Sequence, residues 1–111
     1  MRPTRIRDTI MIADVMLKNR QYVVYNEQGK EISHNFESSL GELMGFSGTF
    51  IVFRRNRMYY TMDDRLKEIA HNFESSLGEF RNVAGNSVNF RRNRMIYTYD
   101  SRLKEISRRF E

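Results

Sequence analysis

A 37-residue period constrains this chain more than any other feature. Three copies account for all 111 residues, and Ser38 to Glu74 aligns with Ser75 to Glu111 without a gap, identical at 22 of 37 positions. Met1 to Glu37 is the diverged copy. It keeps Asn19-Arg20, Tyr22, Lys30-Glu31-Ile32 and His34-Asn35-Phe36-Glu37 in register with Asn56-Arg57, Tyr59, Lys67-Glu68-Ile69 and His71-Asn72-Phe73-Glu74. A fixed period of this size means one supersecondary unit stacked on copies of itself. The chain therefore reads as one domain, residues 1–111, built of repeats 1–37, 38–74 and 75–111.

Within the unit the clearest local signal is a hairpin. Thr49 to Phe53 is a short apolar strand, Arg54-Arg55-Asn56 a polar break, and Arg57 to Met62 a β-branched and aromatic strand. The third copy repeats this over Ser87 to Tyr99, and the first over Met11 to Tyr25. Asn26, Asp63 and Asp100 follow, each suited to opening a turn. The next segment admits two readings. In the first copy Gly29 fits the left-handed position of a tight turn into a third strand. In the second copy Leu66 replaces it, and Leu66, Ile69, Ala70, Phe73 and Leu77 follow helical spacing. The strand reading is preferred, because Gly29 would fall in the first turn of the helix and His-Asn and Ser-Ser are mediocre helix formers. A fourth short strand then starts at Gly41 or Gly78. The expected fold is all-β, about four strands per repeat, with a strand-strand-helix unit as the alternative. Ile32, Ile69 and Ile106, with Phe36, Phe73 and Phe110, are expected in the core.

The run Gly85 to Phe90, a basic turn, Arg94 to Asp100 and then Lys104-Glu105-Ile106 resembles the blade repeats of β-propellers. It is most similar to NHL and quinoprotein-type blades, in which a hairpin ends in an aromatic-Asp pair and turns into a third strand. The resemblance implies a four-stranded blade and carries no ligand or catalytic residue. Three blades fall short of the four to eight of a closed propeller. Two copies closing a six-repeat ring, or a compact three-fold arrangement within one chain, are the ways considered to remove free edges. Residues 1–7 would supply a short strand beside the last repeat.

Composition narrows the function classes. With no cysteine, disulfides, zinc-thiolate sites and thiol nucleophiles are excluded. The same absence fits a reducing cytoplasm, and no targeting peptide or membrane span is read. The formal charge of +5 divides unevenly, with +1, 0 and +4 on the three repeats in order. Lys18, Arg20, Arg54, Arg55, Arg57, Arg91, Arg92 and Arg94 recur at the expected turns and are the candidate anion-binding residues. Tyr22, Tyr59 and Tyr97 stand close enough in sequence to be candidate stacking partners. His34 and His71 are equivalent, but Arg108 takes that place in the third copy. No catalytic residue, metal ligand or cofactor is assigned. The expected function is a non-catalytic scaffold or binding module that self-associates. The alternatives are polyanion or nucleic-acid binding through the arginines, and an enzyme with a site at a repeat or subunit junction near His34 and His71.

Overall fold

In the computed structural model of the chain, residues 11–111 are described. The first repeat contributes strands β1 (Ile12–Lys18), β2 (Gln21–Asn26) and β3 (Glu31–Phe36). The second opens with a one-turn helix, α1 (Glu37–Leu40), followed by β4 (Glu42–Phe46), β5 (Ile51–Arg55), β6 (Met58–Met62) and β7 (Glu68–Phe73). The third repeats this as α2 (Glu74–Leu77), β8 (Glu79–Ala84), β9 (Ser87–Arg92), β10 (Met95–Asp100) and β11 (Glu105–Phe110). Each sheet is an antiparallel meander in chain order. The fold is all-β, and the strand-strand-helix alternative falls. Its expected helix divides into a turn at Leu66, strand β7 and the single turn of α2. The strand expected from residues 1–7 lies outside the described residues. Among the described residues no helix is long and apolar enough to cross a membrane.

Two tight turns recur in every unit. The hairpin turn is only two residues, Asn19-Arg20, Asn56-Arg57 and Asn93-Arg94, with both members left-handed at φ of 50° and 65°, 54° and 63°, and 53° and 65°. That is the type I′ geometry whose twist matches paired strands. Arg54, Arg55, Arg91 and Arg92 therefore lie on strands β5 and β9, not in the turns where the sequence reading placed them. The second turn is built on Asn26, Asp63 and Asp100. Asp63 Oδ1 accepts from the backbone N–H of Arg65 at 2.8 Å and of Lys67 at 3.0 Å, and Asn26 and Asp100 make the equivalent pairs. Its left-handed position holds Gly29 once and leucine twice, Leu66 and Leu103 both at φ 61°. Leucine pays a steric penalty of about 1–2 kcal/mol there. Burial offsets it, since Leu66 is 8% exposed and belongs to the apolar cluster between the first two sheets.

The sheets stack face to face in series. Val15, Tyr22 and Val24 of the first sheet pack on Ile51, Phe53, Met62 and Leu66 of the second. The equivalent residues make the next joint: Val52 and Tyr59 of the second sheet meet Val88, Phe90, Tyr99 and Leu103 of the third. Each unit thus turns one face back to its predecessor and the other forward to its successor, so β5 is buried on both faces at Ile51, Val52 and Phe53. Among the described residues, neither apolar cluster joins the first sheet to the third. Strands of different sheets approach most closely at β4 and β8. There Gly45 makes room for Phe80, whose ring tip would lie 3.1 Å from a Cβ at that position. The thinnest dimension of the molecule, 18 Å, matches the length of one five- or six-residue strand.

The forward face of the third sheet differs from that of the second. Phe50 and Val52 become Ser87 and Asn89, and Tyr59 becomes Ile96. Asn89 links Asn82 and Thr98 in a surface chain of hydrogen bonds at 3.2 Å and 2.6 Å. This face is not bare, since Ile96, in the place of Tyr59, is 1% exposed and Ser87, Asn89 and Thr98 are half-buried.

One expectation about the core is corrected. Phe36, Phe73 and Phe110 are 56%, 57% and 84% exposed, and Ile69 and Ile106 are also exposed, leaving only Ile32 packed against a cluster. The expected shared face of Ile32, His34 and Phe36 is corrected too: the register skips Ile32, a bulge that lets it pack with Val24 at the joint, while His34 stands opposite Val23 and Phe36 opposite Gln21 on the other face. The core comes from the hairpin strands and from Leu40 and Leu77 of the one-turn helices.

Two outcomes are expected. Leu66→Gly should be less harmful than Leu66→Ala by about 1 kcal/mol in urea unfolding, reversing the usual order, because alanine keeps the strain and loses the burial. Replacing Ser87 by Phe and Asn89 by Val overfills a half-buried face that already covers Ile96, and should lower the urea midpoint. An unchanged midpoint would show that the face has room for both side chains.

Candidate functional site

Most of the arginines singled out in the sequence are spent on holding the sheets. Arg54 donates to Glu74 at 3.0 Å and lies 3.7 Å from Glu42, while Arg91 donates to Glu111 at 2.7 Å and lies 3.6 Å from Glu79. Each arginine of the pair, on the second strand of its sheet, reaches the first strand and the residue just past the last. Arg55 lies over the Tyr60 ring at 4.5 Å and Arg92 over the Tyr97 ring at 4.3 Å, in cation–π geometry. Lys18 approaches Tyr25, 6.0 Å from its ring centre and 3.3 Å from its hydroxyl. The aspartates near the arginines, Asp63 and Asp100, serve the second turn instead.

The candidate stacking tyrosines are core residues. Tyr22 and Tyr59 are buried, each against a phenylalanine of the following sheet: Tyr22 with Phe53 at 5.1 Å and Tyr59 with Phe90 at 4.8 Å between ring centres. Their hydroxyls reach the first strand of the next unit. The Tyr22 hydroxyl donates to the Gly41 carbonyl at 3.0 Å and accepts from the Leu43 N–H at 3.3 Å, and the Tyr59 hydroxyl accepts from the Phe80 N–H at 3.3 Å. Tyr97 is buried too, with Arg92 and Arg108 over it. None of the three offers a free face to a base.

The histidines have a structural partner. His34 Nδ1 lies 2.5 Å from Glu31, and His71 Nδ1 lies 2.5 Å from Glu68, three residues earlier on the same strand. Arg108 makes the same pairing to Glu105 at 2.7 Å in the third copy. A nitrogen that reaches the same glutamate is common to both residue types, so the position accepts either. Among the described residues no group of three or more His, Cys, Asp or Glu is gathered closely enough to hold a metal ion.

What remains is a corner repeated on every unit. Arg20, Arg57 and Arg94 occupy the second left-handed position of the hairpin turn and enter no ion pair with a described residue. The carbonyl of each accepts the N–H of the residue after the exposed phenylalanine, from Glu37, Glu74 and Glu111 at 2.9–3.0 Å. Register places Phe36, Phe73 and Phe110 opposite Gln21, Met58 and Met95, the residues that follow those arginines. Two of the corners enclose matching open depressions, of about 640 Å³ at Asn19, Arg20, Phe36, Glu37 and Ser38, and about 560 Å³ at Asn56, Arg57, Phe73, Glu74 and Ser75. Because all sheets stack in the same orientation, these corners line one side of the molecule. The sequence reading listed the turn arginines but assigned the phenylalanines to the core. The available signal was Asn-Arg kept in all three copies at a place where Asn-Gly is the favoured pair.

Comparison with known proteins finds no matching family model, no matching curated protein and no matching solved structure.

The buried tyrosines give a pH prediction. Burial, as the largest cause, raises the Tyr22, Tyr59 and Tyr99 hydroxyls above their ordinary value of 10.0. The unfolded chain therefore loses these protons first, and stability falls as pH rises past about 10. Tyr59→Phe should cost about 1 kcal/mol near neutrality by leaving the Phe80 N–H unpaired, and should flatten the alkaline fall. Urea midpoints measured at neutral pH and at about pH 10.5 check both parts.

Proposed function

We propose that this chain is a non-catalytic repeat module, a binding scaffold whose working surface is the row of arginine–phenylalanine corners. The observation that carries this reading is a broken local rule. Arginine sits left-handed at φ 63–65° in all three units, including the diverged first one, where glycine would be unstrained. No ion pair within the described residues repays that strain, and a large apolar side chain stands exposed beside it each time. Rules broken locally without a structural return are concentrated at functional positions. No element of the corner surface calls for catalysis, so an enzyme is the less supported reading. Polyanion binding is kept with a changed cast: the turn arginines remain available, whereas Arg54 and Arg91 are engaged. Self-association belongs to this proposal through surfaces other than the forward face of the third sheet, whose Ser87 and Asn89 lack the apolar area of an internal joint. A six-repeat ring closed by two copies needs that face and is not part of the proposal.

The reading requires that the corners be dispensable for folding. Changing Arg20, Arg57 and Arg94 together to Gly should hold or raise the melting temperature, since glycine relieves the left-handed strain. Changing Phe36, Phe73 and Phe110 to Thr keeps strand propensity and should cost less than about 1 kcal/mol per site. A larger loss in either variant, read by circular dichroism melting, would make the corners structural and end this proposal.

A further inference from the structure

Building on the corner surface just described, we propose that its partner is single-stranded nucleic acid, laid along the row so that the turn arginines pair with phosphates and the phenylalanines stack on bases. Several observations converge on that chemistry. Glu74 and Glu111, the acids at two of the corners, are already neutralised by Arg54 and Arg91, so Arg57 and Arg94 are surplus positive charge. An exposed aromatic ring beside each arginine supplies the second element that single-strand binders combine with a cationic track. The elements recur once per unit, as a polymeric ligand with a repeating phosphate and base requires. The charge of +5, concentrated as +4 on the third repeat, favours approach of a polyanion. An acidic peptide would use the arginines but gives no reason for three exposed rings, and a double helix hides its base faces.

The test is fluorescence anisotropy with a labelled oligothymidylate of about fifteen nucleotides, a length within reach of known single-strand sites, against the wild type and the two triple variants. The wild type should bind at about 50 mM salt with log affinity falling linearly in log salt. The Arg20, Arg57 and Arg94 to Gly variant should flatten that slope by about 2, from roughly 0.7 per phosphate contact. The Phe36, Phe73 and Phe110 to Thr variant should weaken binding about fivefold or more for each ring engaged, with the slope unchanged. A heparin fragment, which has sulfates but no bases, should respond to the arginine variant alone. No binding of oligothymidylate by the folded wild type overturns the nucleic-acid partner, while the melting experiment above continues to decide the surface reading separately. Binding that ignores the phenylalanines overturns the stacking mode, and equal sensitivity of heparin to both variants assigns the surface to sulfated polymers instead.

Discussion

Everything in this molecule depends on the joint between successive sheets. A four-stranded meander of about 37 residues has too little apolar area to bury alone, and each unit solves this by offering one face backward and one forward. The same residues do the same work at both joints, as the Tyr22–Phe53 and Tyr59–Phe90 pairs show. Hydrogen bonds reinforce the apolar contact where it would otherwise strand polar groups. The Ser33 hydroxyl donates to the Asp64 carbonyl and the Thr61 hydroxyl to the Ser101 carbonyl, both at 2.6 Å and both across a joint. Thr61 is fully buried, so its pairing is obligatory.

The interlocked middle unit explains why its strands read differently from those of its neighbours. β5 is an apolar run because both of its faces are fully covered, whereas β9 alternates Ser87, Val88, Asn89 and Phe90, with Val88 and Phe90 in the joint and Ser87 and Asn89 only half-buried. Last strands sit at the outer edge of their sheets and carry charge: Glu68 and His71 on β7, Glu105, Arg108 and Arg109 on β11. Charged residues on an exposed edge discourage pairing with another chain.

Much of this was legible in the residues. Period, hairpins, the turn on Asn26, Asp63 and Asp100, the fourth strand and the all-β class follow from patterns of apolar and turn-forming side chains. Two features were hidden because they depend on tertiary context. Leu66 argues for a helix by spacing and against a left-handed turn by sterics; only the pocket that buries its side chain reverses both. Alternation placed Ile32, His34 and Phe36 on one face, yet a bulge at Ile32, visible only in the paired register, turns His34 and Phe36 to the opposite side. The corners were half visible. Asn-Arg in each copy marked a turn, but its two-residue length, which moves Arg54 and Arg55 onto a strand, shows only in the paired register.

The tyrosine hydroxyls that cross each joint have a consequence for how such a chain can grow. Tyr22 and Tyr59 grip the opening strand of the unit that follows, and Ile96 has no hydroxyl with which to do so. Residues 38–74 therefore carry a complete socket on one side and a complete plug on the other. An extra copy of that segment, inserted in frame between the second and third units, repeats the native contact with the third unit and creates one new joint, in which Val52 and Tyr59 meet Ile51, Phe53 and Met62. Each added unit also adds one more corner, so repeat number becomes a dial for the span of whatever the outer corners hold.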